Sequence, residues 1–325
     1  MDVFVTGVTG VLGSAATPRL LNAGHAVRAL ARDEEAASRL RAAGVEPVVG
    51  SLFDPDALQR GMGGVAAVLH LATRIPPSSR MDSRDAWAEN DRIRTEGTRL
   101  IVAAAASAGV KTIAYPSVTL LYADGGDGWI EAPTAAVSPT WTTASSLEAE
   151  SMVRAFGDAR AGGIVLRLGM LYGPGTPVAA TLLEEARRGF SGIVGATDGY
   201  QSSLWTEDAG AALVAALRVP PGIYDVVDDQ PMRRREIDEV LARLVGRRSL
   251  RRPPPAVEIA LAGSGASFLL SSHRVSNRRF RDASAWTPQV PSMREGLAIA
   301  SGDDVPANPP SAGRLARERI GPPAR

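Results

Sequence analysis

The sequence predicts an α/β fold, in which helices cover both faces of a doubly wound parallel sheet and a smaller lobe follows it. Short apolar, β-branched runs alternate with longer helical stretches through the first half of the chain. A glycine-rich segment joins the first run to the first helical stretch, and the alternation becomes irregular after Tyr172, where Pro and Gly are more frequent. Strands that are buried on both faces are typical of parallel sheets with strand–helix–strand connections.

Six strands and five helices are predicted in the first half. The strands are Val3–Val5, Ala26–Leu30, Pro47–Val49, Ala67–His70, Thr112–Tyr115 and Ile164–Arg167. The helices are Val11–Ala23, Glu34–Ala43, Asp56–Gly61, Asp85–Ala108 and Ser145–Phe156. Each predicted strand is followed by a helix or a turn, so the connections fit right-handed crossovers.

The glycine-rich segment Thr6–Gly13 follows a strand and opens a helix. Gly7 permits a tight turn, Gly10 lets the backbone approach a pyrophosphate, and Gly13 lets the helix pack closely on the sheet. The helix N-terminus offers unpaired N–H groups to the phosphates. The segment therefore predicts a Rossmann-type dinucleotide site, with contacts from Gly7, Thr9, Gly10, Val11, Leu12 and Gly13.

The end of the second strand indicates which dinucleotide binds. Folds that bind NAD usually place an acidic residue there, which holds the ribose hydroxyls. Arg32 stands at about that position, and a guanidinium suits a 2′-phosphate, so we predict NADP (NADPH) as the cofactor. Asp33 keeps NAD open, and the alternative for Arg32 is a solvated side chain before the next helix.

The second half predicts a substrate-binding lobe at the carboxyl edge of the sheet, where doubly wound folds bind ligands. Its predicted helices are Val178–Arg188, Thr206–Leu217, Arg234–Leu244 and Ala256–Leu261. We expect an NADP-binding domain over residues 1–170, a mainly substrate-binding lobe interleaved with the sheet over 171–300, and a loose tail over 301–325.

Composition limits the remaining functions. The chain has 325 residues, a net charge of +1, no cysteine and three histidines without metal-ligand spacing. We therefore expect no disulfide, no metal site, and no nucleic-acid or membrane partner. No signal peptide or long apolar run is evident, which favours a cytoplasmic protein.

Several landmarks recur in the order of one known family. They are Val68–Thr73, Glu96–Thr98, Leu166–Gly175, Trp205–Ala209, Val275–Asn277 and Ala285–Pro288. From Met1 to about Ala300 the chain resembles the extended short-chain dehydrogenase/reductases, the NAD(P)-dependent epimerase/dehydratase group. The resemblance implies further cofactor contacts at Ser51, Leu52, Leu71, Ala72, Thr73, Pro116, Gly169 and Leu171. Members often pair through two helices, so a monomer or a homodimer is expected.

The resemblance also implies a catalytic tyrosine with a lysine four residues later, the pair that moves the proton in this family. Anchoring the family's glutamate at Glu150 places the tyrosine position at Thr142 and the lysine position at Ser146. Lys111 is the single lysine and follows no tyrosine at that spacing. The family's asparagine position falls near Arg94, so it is changed as well.

Three hydroxyl side chains are predicted to orient a carbonyl in the absence of that pair: Ser117, Thr119 and Thr142. Their alternative roles are strand-end and helix-cap hydrogen bonds. Tyr122 is the phenol nearest the expected site and the best internal proton donor. Tyr122, Tyr200 and Trp205 are predicted to contact a hydrophobic substrate, and the alternative for each is core packing. His70 could shuttle protons, although a packed strand-end histidine is the favoured interpretation.

Two functions follow from this pattern. In the first, the protein is a ketoreductase that uses NADPH and takes its proton from water or from the substrate, such as a phenol beside the ketone. The chain resembles atypical polyketide ketoreductases of antibiotic pathways that lack the tyrosine–lysine pair. In the second, an inactive NADP-binding scaffold or redox sensor remains. Epimerase or dehydratase chemistry on a nucleotide sugar is disfavoured, because it needs an acid–base residue.

Overall fold

The central sheet has seven parallel strands in this computed structural model, which describes residues 1–158, 161–254, 256–258 and 264–302. The strands are β1 (Asp2–Thr6), β2 (Ala26–Ala31), β3 (Glu46–Val49), β4 (Ala67–His70), β5 (Thr112–Val118), β6 (Ala161–Leu168) and β7 (Gly222–Val226). Their order across the sheet is β3–β2–β1–β4–β5–β6–β7. The chain reverses direction across the sheet between β1 and β4, which is where Rossmann-type folds bind dinucleotides.

All six predicted strands are confirmed, and the doubly wound fold class with them. The strand β7 was not predicted. It pairs in parallel with β6, from Gly222 opposite Ile164 to Val226 opposite Leu168. The prediction missed it because strands and helices no longer alternate regularly in the second half, so a lone strand that returns to the sheet has no repeating pattern around it. The turn before it contains Pro220 and Pro221.

The helices up to Leu244 follow the predicted ones closely, whereas the last two, at Arg278–Ser284 and Met293–Ser301, were not predicted. They are α1 (Val11–Asn22), α2 (Glu34–Ala42), α3 (Pro55–Met62), α4 (Arg84–Arg92), α5 (Thr98–Ser107), α6 (Ala144–Arg154), α7 (Val178–Arg188), α8 (Thr206–Ala216), α9 (Arg234–Leu244), α10 (Arg278–Ser284) and α11 (Met293–Ser301). The long helix expected over Asp85–Ala108 consists of α4 and α5 joined by a π-helical turn at Ile93–Gly97. Half of the helix predicted at Ala256–Leu261 lies outside the described residues, as does the tail from 303.

The sheet is buried on both faces, as its apolar runs predict. Along β1, Val3 and Val5 pack into the cluster that contains Leu213 of α8, whereas Phe4 packs into the opposite cluster with Ile101 of α5. Both faces of the sheet therefore exclude water.

A third apolar cluster holds the carboxyl-terminal lobe together. Helices α7, α9 and α11 pack against one another around Leu182, Leu241 and Leu297. Tyr172 and Trp205 belong to the same cluster and join the lobe to the sheet. Among the described residues, no helix combines the length and the apolar character needed to cross a membrane.

Candidate functional site

The glycine-rich loop between β1 and α1 has the shape that a pyrophosphate requires. Gly7 has a φ of +70°, and a Cβ there would lie 2.6 Å from the backbone nitrogen of Ala72. A Cβ on Gly13 would lie 2.3 Å from the carbonyl oxygen of Gly7. A Cβ on Gly10 would approach one atom of the described structure, the Gly7 carbonyl oxygen, at 3.3 Å. The outer side of the loop is therefore open. No side chain caps α1 at Gly10, which leaves the first N–H groups of the helix free for phosphate oxygens.

Arg32 and Asp33 differ in what their side chains do after β2. The Asp33 carboxylate accepts a hydrogen bond of 2.7 Å from the Ala36 backbone N–H and thereby caps α2. Arg32 is exposed, and within the described ranges it forms no ion pair or hydrogen bond. The free cation therefore lies at the position predicted for cofactor selection, whereas Asp33 already has a structural role.

The segments after β3 and β4 lie at the same edge of the sheet. Leu52 is buried against the helical segment, since a Cβ on Gly97 would lie 2.7 Å from its Cδ2 atom, and Ser51 is exposed. The backbone nitrogen of Leu71 donates to the carbonyl oxygen of Thr6 at 3.2 Å. Ala72 and Thr73 follow next to the glycine loop, with Thr73 exposed. The structure thus brings these residues together around one edge, and their cofactor contacts stay predictions.

The remaining predicted cofactor residues lie at the ends of β5 and β6. Pro116 is buried and lies opposite Leu166 in the register of these strands. A Cβ on Gly169 would lie 2.7 Å from the carbonyl carbon of Ser203, so close packing on the lobe requires a glycine there. Leu171 pairs with Leu204 in a short parallel ladder. Their contacts with a cofactor also stay predictions.

His70 is a packed strand-end histidine. Its Nδ1 atom is hydrogen-bonded to Thr6 Oγ1 at 2.8 Å, and its Nε2 atom to Thr98 Oγ1 at 3.2 Å. Burial, together with the nearby Arg94 cation, lowers the pKa of His70 to about 3. A neutral ring with both nitrogens engaged is a poor proton shuttle at physiological pH.

The three predicted carbonyl-orienting hydroxyls are all buried, but their surroundings differ. Thr119 Oγ1 is hydrogen-bonded to Ser202 Oγ at 2.7 Å, and Thr142 Oγ1 to Thr140 Oγ1 at 2.9 Å. Ser117 is 1% exposed, and its Oγ atom has no hydrogen-bond partner among the described residues. Ser117 is therefore the one of these three whose hydroxyl is not engaged in a contact that the structure shows.

Tyr122 belongs to a buried network of polar side chains. Its hydroxyl donates to Asp225 Oδ1 at 2.7 Å, and the Arg167 guanidinium lies 4.8 Å from its ring centroid. Arg167 in turn donates to both carboxylate oxygens of Glu150, at 2.7 and 3.0 Å. Burial and the neighbouring Asp225 raise the pKa of Tyr122. These contacts disfavour Tyr122 as the internal proton donor, and its contact with substrate stays a prediction.

The two other predicted substrate residues are packed against their neighbours. Trp205 is 6% exposed and meets Tyr172 edge-on, with ring centroids 5.3 Å apart. Tyr200 lies beneath the guanidinium groups of Arg233 and Arg274, at 4.4 and 5.0 Å from its ring centroid. Trp205 belongs to the cluster that joins the lobe to the sheet, and each of the two is at least a structural residue.

The sequence analysis missed a row of polar side chains on α4, the π-helical turn and α5. Asn90 Oδ1 accepts from the Arg74 backbone N–H at 3.2 Å, just after the β4 end. Arg94 Nη1 donates to the Tyr115 hydroxyl of β5 at 2.6 Å. Thr98 forms the bond to His70 described above. The sequence offered one signal, the arginine at the family's asparagine position, but not its burial or its neighbours.

Comparison with known proteins identifies the family. The model of the NAD dependent epimerase/dehydratase family matches residues 3–226. The chain belongs to this family. A curated relative, a 3-diazoavenalumate denitrifying reductase from a Streptomyces species, is 33% identical over 312 residues, which cover 91% of this chain and 99% of the relative. A 2-alkyl-3-oxoalkanoate reductase from Stenotrophomonas maltophilia is 29% identical and covers 76% of both chains.

Two solved structures show the same fold. The human epimerase family protein SDR39U1, solved with NADPH, has a TM-score of 0.78 at 22% identity and covers 93% of this chain and 99% of its own. MoeE5, solved with UDP-glucose and NAD, has a TM-score of 0.73 at 22% identity, over 93% and 98% of the two chains. Membership of the family and the open glycine loop together support a nicotinamide cofactor at β1 and α1.

Proposed function

We propose that this epimerase/dehydratase-family protein is an NADPH-dependent reductase, which reduces a ketone on a hydrophobic, aromatic substrate of the polyketide type. The observation that carries the proposal is that hydroxyl side chains stand where the resemblance expects the catalytic tyrosine and lysine. Thr142 and Ser146 occupy the positions aligned with that pair, and both are buried. Curated relatives named as reductases span most of the chain, which supports reduction over epimerisation.

The cofactor would be held by the residues around the β1 end. The N–H groups at the start of α1 would bind the pyrophosphate, and the free guanidinium of Arg32 would bind a 2′-phosphate. When bound, the reduced nicotinamide supplies the hydride. Apolar strands exclude water beneath this edge, which strengthens every hydrogen bond at the site.

The chain's own residues would orient the ketone and leave the proton to another source. A threonine or serine hydroxyl donates a hydrogen bond but is far too weak an acid to release its proton at neutral pH. Ser117, Thr119 and Thr142 are therefore the hydroxyl candidates for orienting the carbonyl oxygen in this proposal. The proton that completes the alcohol comes from water or from a phenol next to the ketone on the substrate. This use of a proton from the substrate is also why we compare the chain with the angucyclinone ketoreductase of the simocyclinone pathway.

Turnover of paired substrates tests the proposal. We expect purified protein to oxidise NADPH when it is given an aromatic polyketide ketone with a neighbouring phenol. The O-methylated ketone should react more slowly, because it cannot supply the proton. Tight NADPH binding without turnover of any ketone or quinone would overturn the proposal in favour of the scaffold function.

A diazo-substituted arene is a second candidate acceptor, because the Streptomyces relative described above is named for a diazo compound. An arenediazonium can accept hydride at its terminal nitrogen to form an aryldiazene, which then loses N₂ and keeps the hydrogen on the ring. This reaction needs no proton from the protein. Release of N₂ with one NADPH oxidised per arene formed, together with inert ketones, would favour this function over ketone reduction.

A further inference from the structure

Three buried polar side chains with unpartnered atoms lie near the carboxyl ends of β4 and β5. They are Asn90, Arg94 and Ser117, which are 0%, 4% and 1% exposed. Asn90 Nδ2, Arg94 Nε and Ser117 Oγ have no hydrogen-bond partner among the described residues. Such groups are costly when left unpaired, so a cluster of them at a ligand-binding edge indicates a ligand that accepts hydrogen bonds.

The three side chains lie on separate segments that the fold places at one edge of the sheet. Asn90 and Arg94 lie four residues apart on the helical segment and thus on one face. Asn90 bonds to the backbone just after β4, and Arg94 bonds to Tyr115 of β5. Ser117 is two residues beyond Tyr115, on the same face of β5 and nearer the carboxyl end of that strand. The π-helical turn contains Arg94, and such turns are frequent at functional sites.

The charge of Arg94 strengthens the argument, because a second buried arginine provides a comparison. Arg167 is 3% exposed, and its guanidinium is held by both oxygens of Glu150. Arg94 is as deeply buried, yet its one hydrogen-bond partner among the described residues is the neutral Tyr115 hydroxyl, and it forms no ion pair there. A buried cation normally has an anionic partner. An anion supplied by a ligand would satisfy Arg94.

We infer that Asn90, Arg94 and Ser117 form an oxyanion site, which holds the substrate oxygen where the family otherwise uses its tyrosine and lysine. The inference rests on the proposed function and says which side chains stabilise the negative charge that forms on the substrate oxygen. When hydride adds to the carbonyl carbon, the electron pair of the C=O π bond moves to oxygen and forms an alkoxide. The three donors stabilise this charge until water or a neighbouring phenol transfers a proton to it. Preferred substrates therefore present a phenolate or a ketone oxygen at this point.

A chromophoric phenol tests the site without turnover. In NADP⁺-loaded protein, the absorbance of bound 4-nitrophenol reports whether it is ionised, and 4-nitroanisole is the matched probe that cannot ionise. We expect wild-type protein to lower the pKa of the bound phenol by about one unit or more, as a nearby cation does. Arg94→Lys should keep most of this shift, and Arg94→Gln and Asn90→Asp should lose it. An equal shift in wild type and Arg94→Gln would overturn the inference.

Kinetics with the reducible ketone separate a catalytic role from a structural one. Arg94→Gln and Ser117→Ala should each lower kcat by about 100-fold with little change in KM, as loss of one oxyanion donor does. Ser117→Ala removes no observed hydrogen bond, so it should fold even if Arg94→Gln does not. Tyr115→Phe removes the partner of Arg94 but not its charge, and should stay within a few-fold of wild type. If Tyr115→Phe and Arg94→Gln are equally slow, Arg94 only supports Tyr115 and the inference fails.

Two further outcomes separate this inference from the proposed function. Ketone turnover that is unaffected by Arg94→Gln and Ser117→Ala would overturn the oxyanion site and leave the reductase intact. An Arg94-dependent pKa shift of 4-nitrophenol without turnover of any ketone would support the site and overturn the ketoreductase. If Arg94→Gln instead weakens NADPH binding by as much as it lowers kcat, the donors serve the cofactor, and the inference fails.

Discussion

Two regions at the carboxyl edge of the sheet, one for the cofactor and one for the proposed reaction, are built in different ways. On the predicted cofactor side, which comprises Thr6–Gly13 and Arg32, most of the available donors are backbone groups of one contiguous segment. On the proposed reaction side, which comprises Asn90, Arg94, Ser117 and the start of α6, the candidate groups are buried side chains from segments that are distant in the chain. Backbone donors at a helix start follow from local sequence, whereas a cluster of side chains depends on how whole elements pack. The substitutions below probe each side separately.

The largest effect should come from the framework of the reaction side. Glu150→Gln leaves the buried Arg167 without a countercharge, and breaking a buried pair in this way costs about 3–5 kcal/mol of unfolding free energy. Urea denaturation measures it. Glu96→Gln, which removes an exposed pair with Arg92, is the matched control and should leave the unfolding free energy unchanged. A Glu150→Gln protein as stable as wild type would mean that this pair does not hold α6 on the sheet.

On the cofactor side, Gly13→Ala should be the most damaging change. The added methyl would meet the Gly7 carbonyl oxygen at 2.3 Å, so α1 must move off the sheet. A displaced helix start loses hydrogen bonds to the charged pyrophosphate, worth about 1.5–3 kcal/mol, so NADPH binding should weaken roughly 10- to 100-fold, measurable by nicotinamide fluorescence titration. Gly63→Ala is the control, because a Cβ there meets nothing closer than 3.7 Å in the described structure. NADPH affinity that survives Gly13→Ala would show that the dinucleotide binds elsewhere.

Arg32 tests the choice of cofactor. Removing a charged hydrogen bond to a 2′-phosphate costs about 1.5–3 kcal/mol, so Arg32→Ala should weaken NADPH binding by roughly 10- to 100-fold. NADH affinity should hardly change, because NADH has no phosphate at that position. Parallel titrations with the two cofactors measure the difference. Equal losses for both would refute the assignment of NADP and leave Arg32 as a solvated side chain.

The smallest effect is expected at Thr142, on the reaction side. Its hydroxyl is hydrogen-bonded to Thr140, and a single neutral hydrogen bond is worth about 1 kcal/mol. Thr142→Val should therefore lower turnover of the ketone about fivefold without abolishing it. Steady-state kinetics at saturating NADPH measure this change, with Thr142→Ser as the variant that keeps the hydroxyl. Complete loss of activity would instead show that the threonine is essential.

The difference between the two sides also limits what a sequence can predict. Gly7, Gly10 and Gly13 could be assigned because their spacing between a strand and a helix is a local pattern of the sequence. Arg94 could be recognised only as a changed position. That it is buried, lacks a carboxylate partner among the described residues and faces the same edge as Ser117 depends on the packing of α4, β5 and the π-helical turn.

By itself, the sequence determined the doubly wound sheet, the six strands of the first half, the glycine loop and the absence of a Tyr-x-x-x-Lys pair. These features follow from local patterns of apolar, glycine and polar residues. Only the tertiary structure showed that Gly222–Val226 returns to the sheet, that Tyr122 directs its proton to Asp225, and that Asn90, Arg94 and Ser117 have atoms without partners among the described residues. Burial and hydrogen-bond partners come from residues far apart in the chain, and no local pattern encodes them.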